Sequence, residues 1–297
     1  MSIESQNEVP EARQEALWMD KGMVTLSFRR HTSYERDPNS GNRGALISKE
    51  NVAAADSAAY NFAKHLPQGS EVSFYQSPSF MVARKLENGH EIKPMRAATT
   101  ASRYEQAIRG SYGNYASRRN FDSRLGDIFE HGNNQIPLFF KALKENYGGM
   151  SPDFWDDYIN GTLKPEVAEA FKKANGSDPE ALAHELTEFV GGAEKKLRTQ
   201  SGQTPDFKKE VGLVITHGEK LESYLFYLTK YLQIEGQDVS VLQETIEQGV
   251  DNNQGFDIHL NPEGKAFLQL GGKLVEYDQN QFASFLTVEE EHRGEQA

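Results

Sequence analysis

The stretch Met23-Val24-Thr25-Leu26-Ser27-Phe28 runs directly into Arg29-Arg30-His31-Thr32. Its β-branched and apolar residues, in partial alternation, predict a strand with charged groups at its C-terminal end. Residues 35 to 45, Glu-Arg-Asp-Pro-Asn-Ser-Gly-Asn-Arg-Gly-Ala, are loop chemistry, and Ser48 is the expected N-cap of a helix. In that helix Val52, Ala55, Ala59, Phe62, Ala63 and Leu66 recur at helical spacing and give one apolar stripe. Glu71-Val72-Ser73-Phe74-Tyr75 then alternates with period two and ends at Ser77-Pro78. Strand, helix and strand in this order form a βαβ unit, which sets the class as α/β.

Working outward, a second helix is expected from Arg96 through Ala101 to Ile108. Residues 110 to 205 mix Gly breaks, aromatic-rich stretches and amphipathic helices opening at Pro165-Glu166 and at Ser177-Asp178-Pro179-Glu180, which reads as an inserted helical cap. Val211-Gly212-Leu213-Val214-Ile215-Thr216 suits a central buried strand closed by His217-Gly218, and a helix from Glu219 to about Leu232 follows. Phe256 to Leu260 is strand-like, and a hairpin is expected around Gly271-Gly272. The expected organisation is a loosely docked arm over 1–20, one domain over 21–288 with the cap at about 110–205, and a charged, solvated tail over 289–297.

Composition narrows the function. The 297 residues carry a formal charge of -12, which argues against general affinity for nucleic acid, although a small phosphate ester needs only a few converging cations. With no cysteine, disulfides, thiolate catalysis and Cys-based zinc sites are excluded. No stretch approaches the ~18 apolar residues of a membrane span, and residues 1–20 hold no apolar targeting core, so a cytoplasmic protein without membrane contact is expected. The eight histidines form neither His-x-His nor His-Glu-x-x-His, so no metal and no cofactor is expected. His65, His90, His131, His184, His259 and His292 read as surface or structural.

Ligands of doubly wound sheets bind outside the carboxyl ends of strands, where Arg30-His31 and His217 both fall. These residues carry a resemblance. Arg30-His31-Thr32 is similar to the Arg-His-Gly that follows the first strand in the histidine phosphatase (phosphoglycerate mutase-like) superfamily. Gly44-Ala45-Leu46-Ile47-Ser48 resembles that family's Gly-Pro-Leu-Thr at the start of the first helix. Ser77-Pro78 with Arg96-Ala97-Ala98-Thr99-Thr100-Ala101 resembles its Ser-Pro and Arg-Ala-x-x-Thr-Ala, and Val214-Ile215-Thr216-His217-Gly218 resembles the segment of its second catalytic histidine. The four elements keep the family's order and cover roughly 23–105 and 210–235. The resemblance implies a three-layer α/β/α sandwich with a mostly parallel central sheet, no metal, and hydrolysis of a small phosphomonoester through a phosphohistidine on His31. A phosphomutase, or a weak pseudoenzyme binding a phosphorylated ligand, is the alternative.

Physical chemistry supports the same roles. A neutral imidazole is a competent nucleophile near pH 7, and flanking guanidinium groups favour the neutral form. Arg30 and Arg96 would supply those charges and grip phosphate oxygens in pairs, with His217 as a further donor. Thr32, Arg36, Arg43 and Gly218 are expected to line the phosphate site. The family's acid often comes from a Leu-x-Glu stretch, which Leu125-Gly126-Asp127 resembles, so Asp127 is the expected general acid, with Glu130 and Glu219 as alternatives. Two departures stand out: Thr32 replaces a glycine that could need a conformation costly for a β-branched residue, and Arg36-Asp37-Pro38 matches neither branch of the family.

Overall fold

A computed structural model of the chain describes residues 17–18, 20, 22–32, 49–78, 84–85, 91–92, 96–110, 115–129, 134–149, 151–201 and 209–294. In chain order the elements are β1 (Val24–Arg30), α1 (Lys49–His65), β2 (Glu71–Gln76), a short hairpin of β3 (Arg84–Lys85) and β4 (Glu91–Ile92), α2 (Arg96–Arg109), β5 (Tyr115–Phe121), α3 (Ile136–Tyr147), α4 (Pro152–Asn160), α5 (Pro165–Lys173), α6 (Pro179–Ser201), β6 (Glu210–Thr216), α7 (Gly218–Ile234), α8 (Ser240–Gln248), β7 (Gly255–Leu260), β8 (Lys265–Leu270), β9 (Lys273–Asp278) and α9 (Gln279–Gly294).

Seven strands form one sheet in the order β5-β2-β6-β1-β7-β8-β9. The pairings β5–β2, β2–β6 and β6–β1 are parallel, whereas β1–β7, β7–β8 and β8–β9 are antiparallel, so the sheet is evenly mixed rather than mostly parallel. For β7–β8 and β8–β9 the reason lies in connection length. A parallel return needs a crossover of a dozen or more residues, but β7, β8 and β9 are joined by tight turns at Asn261–Gly264 and Gly271-Gly272. The polar half of β1 also reflects its antiparallel neighbour. Thr25 stands opposite His259 and Ser27 opposite Asp257, with Oγ1 of Thr25 2.9 Å from His259 Nδ1 and the Ser27 hydroxyl donating to Asp257 Oδ1 at 2.6 Å.

Helices cover both faces, giving the three-layer sandwich. On one face Ala59, Phe62 and Ala63 of α1, with Leu66 just after it, join Ala97, Ala101, Tyr104 and Ile108 of α2 over Val72, Phe74, Val211, Leu213 and Ile215. On the other, Leu186, Phe189, Val190 and Leu197 of α6 and Leu221, Tyr224, Leu225 and Leu228 of α7 pack over Leu26, Phe28 and Val214. Complete burial of β6 follows from its central place between β2 and β1.

The described residues add detail at three of the boundaries expected from the sequence. The insertion at 110–205 is not wholly a cap: Tyr115–Phe121 extends the main sheet beside β2, and α6 is a layer of the sandwich. The separate apolar cluster belongs to α3, α4 and α5, with Phe139, Leu143, Phe154, Tyr158 and Val167 at its centre. The arm over 1–20 is not loose throughout. Trp18 is buried edge-on against Phe62 and His259, with ring centroids 6.2 and 5.4 Å away, an arrangement that aromatic rings favour. Its backbone is tied by Lys209, whose ammonium donates to the carbonyls of Leu17, Asp20 and Met23. Finally, helix α9 continues to Gly294, so the expected tail begins as helix.

Candidate active site

Strands β1, β2 and β6 end side by side, and their last residues deliver the chemistry. His31 follows β1 and His217 follows β6, with the His31 amide donating to the Thr216 carbonyl at 3.0 Å. The two imidazoles meet edge to face, centroids 4.8 Å apart, and are 4% and 2% exposed. His31 Nδ1 lies 2.9 Å from the Thr32 carbonyl oxygen, which can only accept, so Nδ1 carries a proton. In the neutral ring Nε2 then holds the lone pair. It lies 3.2 Å from His217 Nδ1, and His217 Nε2 is 3.0 Å from the Ser77 hydroxyl. One set of protons satisfies the whole chain: Ser77 donates to His217 Nε2, His217 Nδ1–H donates to His31 Nε2, and His31 Nδ1–H donates to Thr32.

The neutral form of His31 is strongly favoured. Burial, the nearby charges of Arg96 and His217, and more weakly Arg30 hold its pKa well below the usual 6.5. Arg30 Nη1 donates to the Val250 carbonyl, just after α8, and its guanidinium lies against Gly218 at the start of α7. A side chain at Gly218 would place Cβ 2.9 Å from Arg30 Cζ and Nε, so any other residue here must displace the guanidinium. Gly218 also opens α7, whose N-terminus favours an anion.

Arg96 opens α2, and its Nη2 lies 3.6 Å from Asp127 Oδ2; the same oxygen is 3.7 Å from His217 Nδ1. Asp127 sits between the two packing regions. Leu125, before it, belongs to the sheet core, whereas Ile128 and Phe129, after it, belong to the cap cluster. Glu219 approaches the same place from α7: one donor atom each of Asp127, His217 and Glu219 lie within 4.8 Å of one another. Burial, then the charge of Asp127, raises the Glu219 pKa above its ordinary 4.5. These three groups have the chemistry to hold a divalent cation, but the His217 nitrogen already faces His31 and the Asp127 oxygen faces Arg96.

The structure thus brings Arg30, His31, Thr32, Arg96, Asp127, His217, Gly218 and Glu219 into one neighbourhood. Arg36, Arg43 and Glu130 lie outside the described residues. Thr32 is not strained: the non-glycine residues with positive φ are Asn175 and Asn253 among the described residues. Its amide donates to Thr100 Oγ1 at 3.0 Å, and its hydroxyl is 3.5 Å from both Asn51 O and Asn253 Nδ2. The sequence reading gave no role to Ser77, Thr100 or Asn253. Ser77 and Thr100 were visible within the matched segments; Asn253 carried no signal. His65 is exposed, while His259 is a buried structural group bonded to Thr25 and Gln269.

No protein-family model matches the chain, and no curated protein matches it. Among solved structures, a protein described as mycobacterial hydrolase 2 is 14% identical with a TM-score of 0.49, the match covering 90% of this chain and 97% of that one. Mycobacterial glucosyl-3-phosphoglycerate phosphatase is 15% identical with a TM-score of 0.43, covering 86% and 96%. A variant phosphoserine phosphatase from Entamoeba histolytica, in complex with phosphoserine, is 12% identical with a TM-score of 0.39, covering 87% and 98%. At such scores the functional reading rests on the geometry of the site itself.

Proposed function

We propose that the chain is a phosphomonoester hydrolase of the histidine phosphatase superfamily, working through a phosphohistidine on Nε2 of His31. The observation that carries this reading is the fixed tautomer: a buried, neutral imidazole whose Nδ1–H is held by the Thr32 carbonyl and whose Nε2 lone pair faces His217 beside two guanidinium groups. The lone pair attacks phosphorus as the ester P–O bond breaks. The ring then bears positive charge shared with Nδ1–H, which the Thr32 carbonyl stabilises. His217 Nδ1–H, no longer needed by the lone pair, turns to a phosphoryl oxygen, and Arg30 and Arg96 take the others. Water then cleaves the N–P bond and returns His31 to its starting state.

The leaving alkoxide needs a proton, and we assign its delivery to Asp127. Glu219 stands beside it, one oxygen of each carboxylate lying within 4.8 Å of the other. Glu219 favours its neutral form through burial, while Asp127 Oδ2 is the oxygen that reaches Arg96 and His217. In the second step the same carboxylate takes a proton from the attacking water. The test is release of phosphate from p-nitrophenyl phosphate and glycerol 2-phosphate in chelator. Asp127→Asn should lose ~10²–10⁴-fold on the alkyl ester and little on the aryl ester, whose phenolate leaves unaided. If only Glu219→Gln behaves this way, the acid is Glu219; activity that chelator abolishes would overturn the mechanism.

A further inference from the structure

Lys220 is a cation that the proposed reaction does not use, yet its side chain is 1% exposed. Burying an ammonium costs several kcal/mol unless it is paired and hydrogen-bonded. Here the partners are specific: Nζ donates to the Glu185 carboxylate on α6 and to the Arg124 carbonyl. Arg124 lies in the single 3-10 turn Ser123–Leu125, three residues before Asp127. The next carbonyl, Leu125 O, accepts from Thr216 Oγ1 at 3.0 Å. Thr216 and Lys220 are the residues immediately outside His217-Gly218-Glu219. The segment 216–220 therefore contributes the second histidine and one carboxylate at its centre, and with its two flanking side chains grips the turn that presents the other carboxylate.

The turn also carries bonds of its own. Asp122 accepts from the Arg124 amide and guanidinium, and the Gly126 amide donates to Ser123 O at 2.9 Å. These bonds give the turn its shape but do not place it relative to His217. Other contacts dock the turn on its surroundings, the Asp122 amide donating to the Gln76 carbonyl at 3.3 Å and Arg124 Nη1 to the Glu188 carbonyl at 3.1 Å, but those from Thr216 and Lys220 tie it to the segment that carries His217, and they reach main-chain atoms, so they act whatever the turn's side chains do.

We infer that Lys220, together with Thr216, is a positioning residue that sets the distance of Asp127 from the phosphoryl site by clamping the Arg124 and Leu125 carbonyls. The inference rests on the reading of Asp127 as the proton donor. Its signature is selective, because misplacing the acid harms only esters whose leaving group needs a proton.

The experiment compares Lys220→Met, Thr216→Val and Asp127→Asn on p-nitrophenyl phosphate and glycerol 2-phosphate. Lys220→Met should lose about 10- to 100-fold on the alkyl ester, the scale of a misplacement near 1 Å, and under about threefold on the aryl ester. Adding Asp127→Asn to Lys220→Met should cost no more than Asp127→Asn alone. Equal losses on both esters, or a change in melting temperature without any change in leaving-group dependence, would overturn the positioning role. If Asp127→Asn steepens that dependence and Lys220→Met does not, the inference falls and the acid assignment stands. If Asp127→Asn itself shows no selectivity, both fall. Should Lys220→Met fail to fold, Thr216→Val, which removes one hydroxyl, decides by the same pattern.

Discussion

Substituting Gly218 by alanine probes how Arg30 is held. The added Cβ would lie 2.9 Å from Cζ and Nε of Arg30 and 3.1 Å from Nη1. Carbon atoms pack at about 3.5–4.0 Å, so roughly 0.6 Å or more must be recovered. The main chain at Gly218 is anchored between β6 and the first turn of α7, and the guanidinium is the softer partner. It must rotate away, which breaks its bond to the Val250 carbonyl and tilts the fork meant for phosphate. A hydrogen bond of a charged group contributes about 1.5–3 kcal/mol. If the tilted fork forfeits one such bond to a phosphoryl oxygen in the transition state, kcat/KM falls by about 10- to 150-fold. The assay is steady-state hydrolysis of p-nitrophenyl phosphate, with inhibition by inorganic phosphate and a melting curve as companions. Phosphate affinity should weaken, and the melting temperature should fall as the Val250 bond is lost. Because the effect passes through Arg30, Gly218→Ala should cost almost nothing in an Arg30→Ala background. Undiminished kcat/KM in the single variant, or full additivity in the double, would refute this account of Arg30.

Other expectations are independent of that one. Glu222, one turn beyond Gly218, is buried with its carboxylate accepting from the Val250 amide, and burial pushes its pKa from 4.5 up to about 7. A raised pKa stabilises the fold fully below 4.5 and loses that contribution as pH rises through about 7, by about 3 kcal/mol at 1.36 kcal/mol per tenfold. Glu222→Gln should therefore melt higher than the parent at pH 8 and equally at pH 4; an unchanged difference across that range would contradict the assignment. Thr32 does not occupy positive φ, so Thr32→Gly should leave kcat/KM within about tenfold, under ~1.4 kcal/mol. A large gain would instead mark the native site as degraded and favour a binding protein without turnover.

The βαβ opening and the histidines at strand ends were legible because each strand is a short run rich in apolar and β-branched residues that stops at polar or charged ones. The fifth strand, Tyr115-Ala116-Ser117-Arg118-Arg119-Asn120-Phe121, was not. It lies at the sheet edge with β2 as its one strand neighbour, so no buried run is required of it. The direction of β7 to β9 depends on turn lengths that were readable only in part, and the mixed sheet followed from them. Lys220 was opaque for a different reason. A lysine on an amphipathic helix reads as solvent-facing, and here burial depends on a carboxylate from α6 and a carbonyl from the turn after β5. The concern over Thr32 came from comparing residue types, whereas the local backbone places the left-handed residue at Asn253 instead.

The central claim is that His31 Nε2 forms a bond to phosphorus. The direct measurement is rapid quenching of the enzyme during turnover of a labelled aryl phosphate in chelator, followed by peptide mapping. An acid-labile, base-stable phosphoryl group on the peptide containing His31, absent in His31→Ala together with turnover, is the predicted result. Label on another residue, or near-normal phosphate release by His31→Ala, would contradict the account.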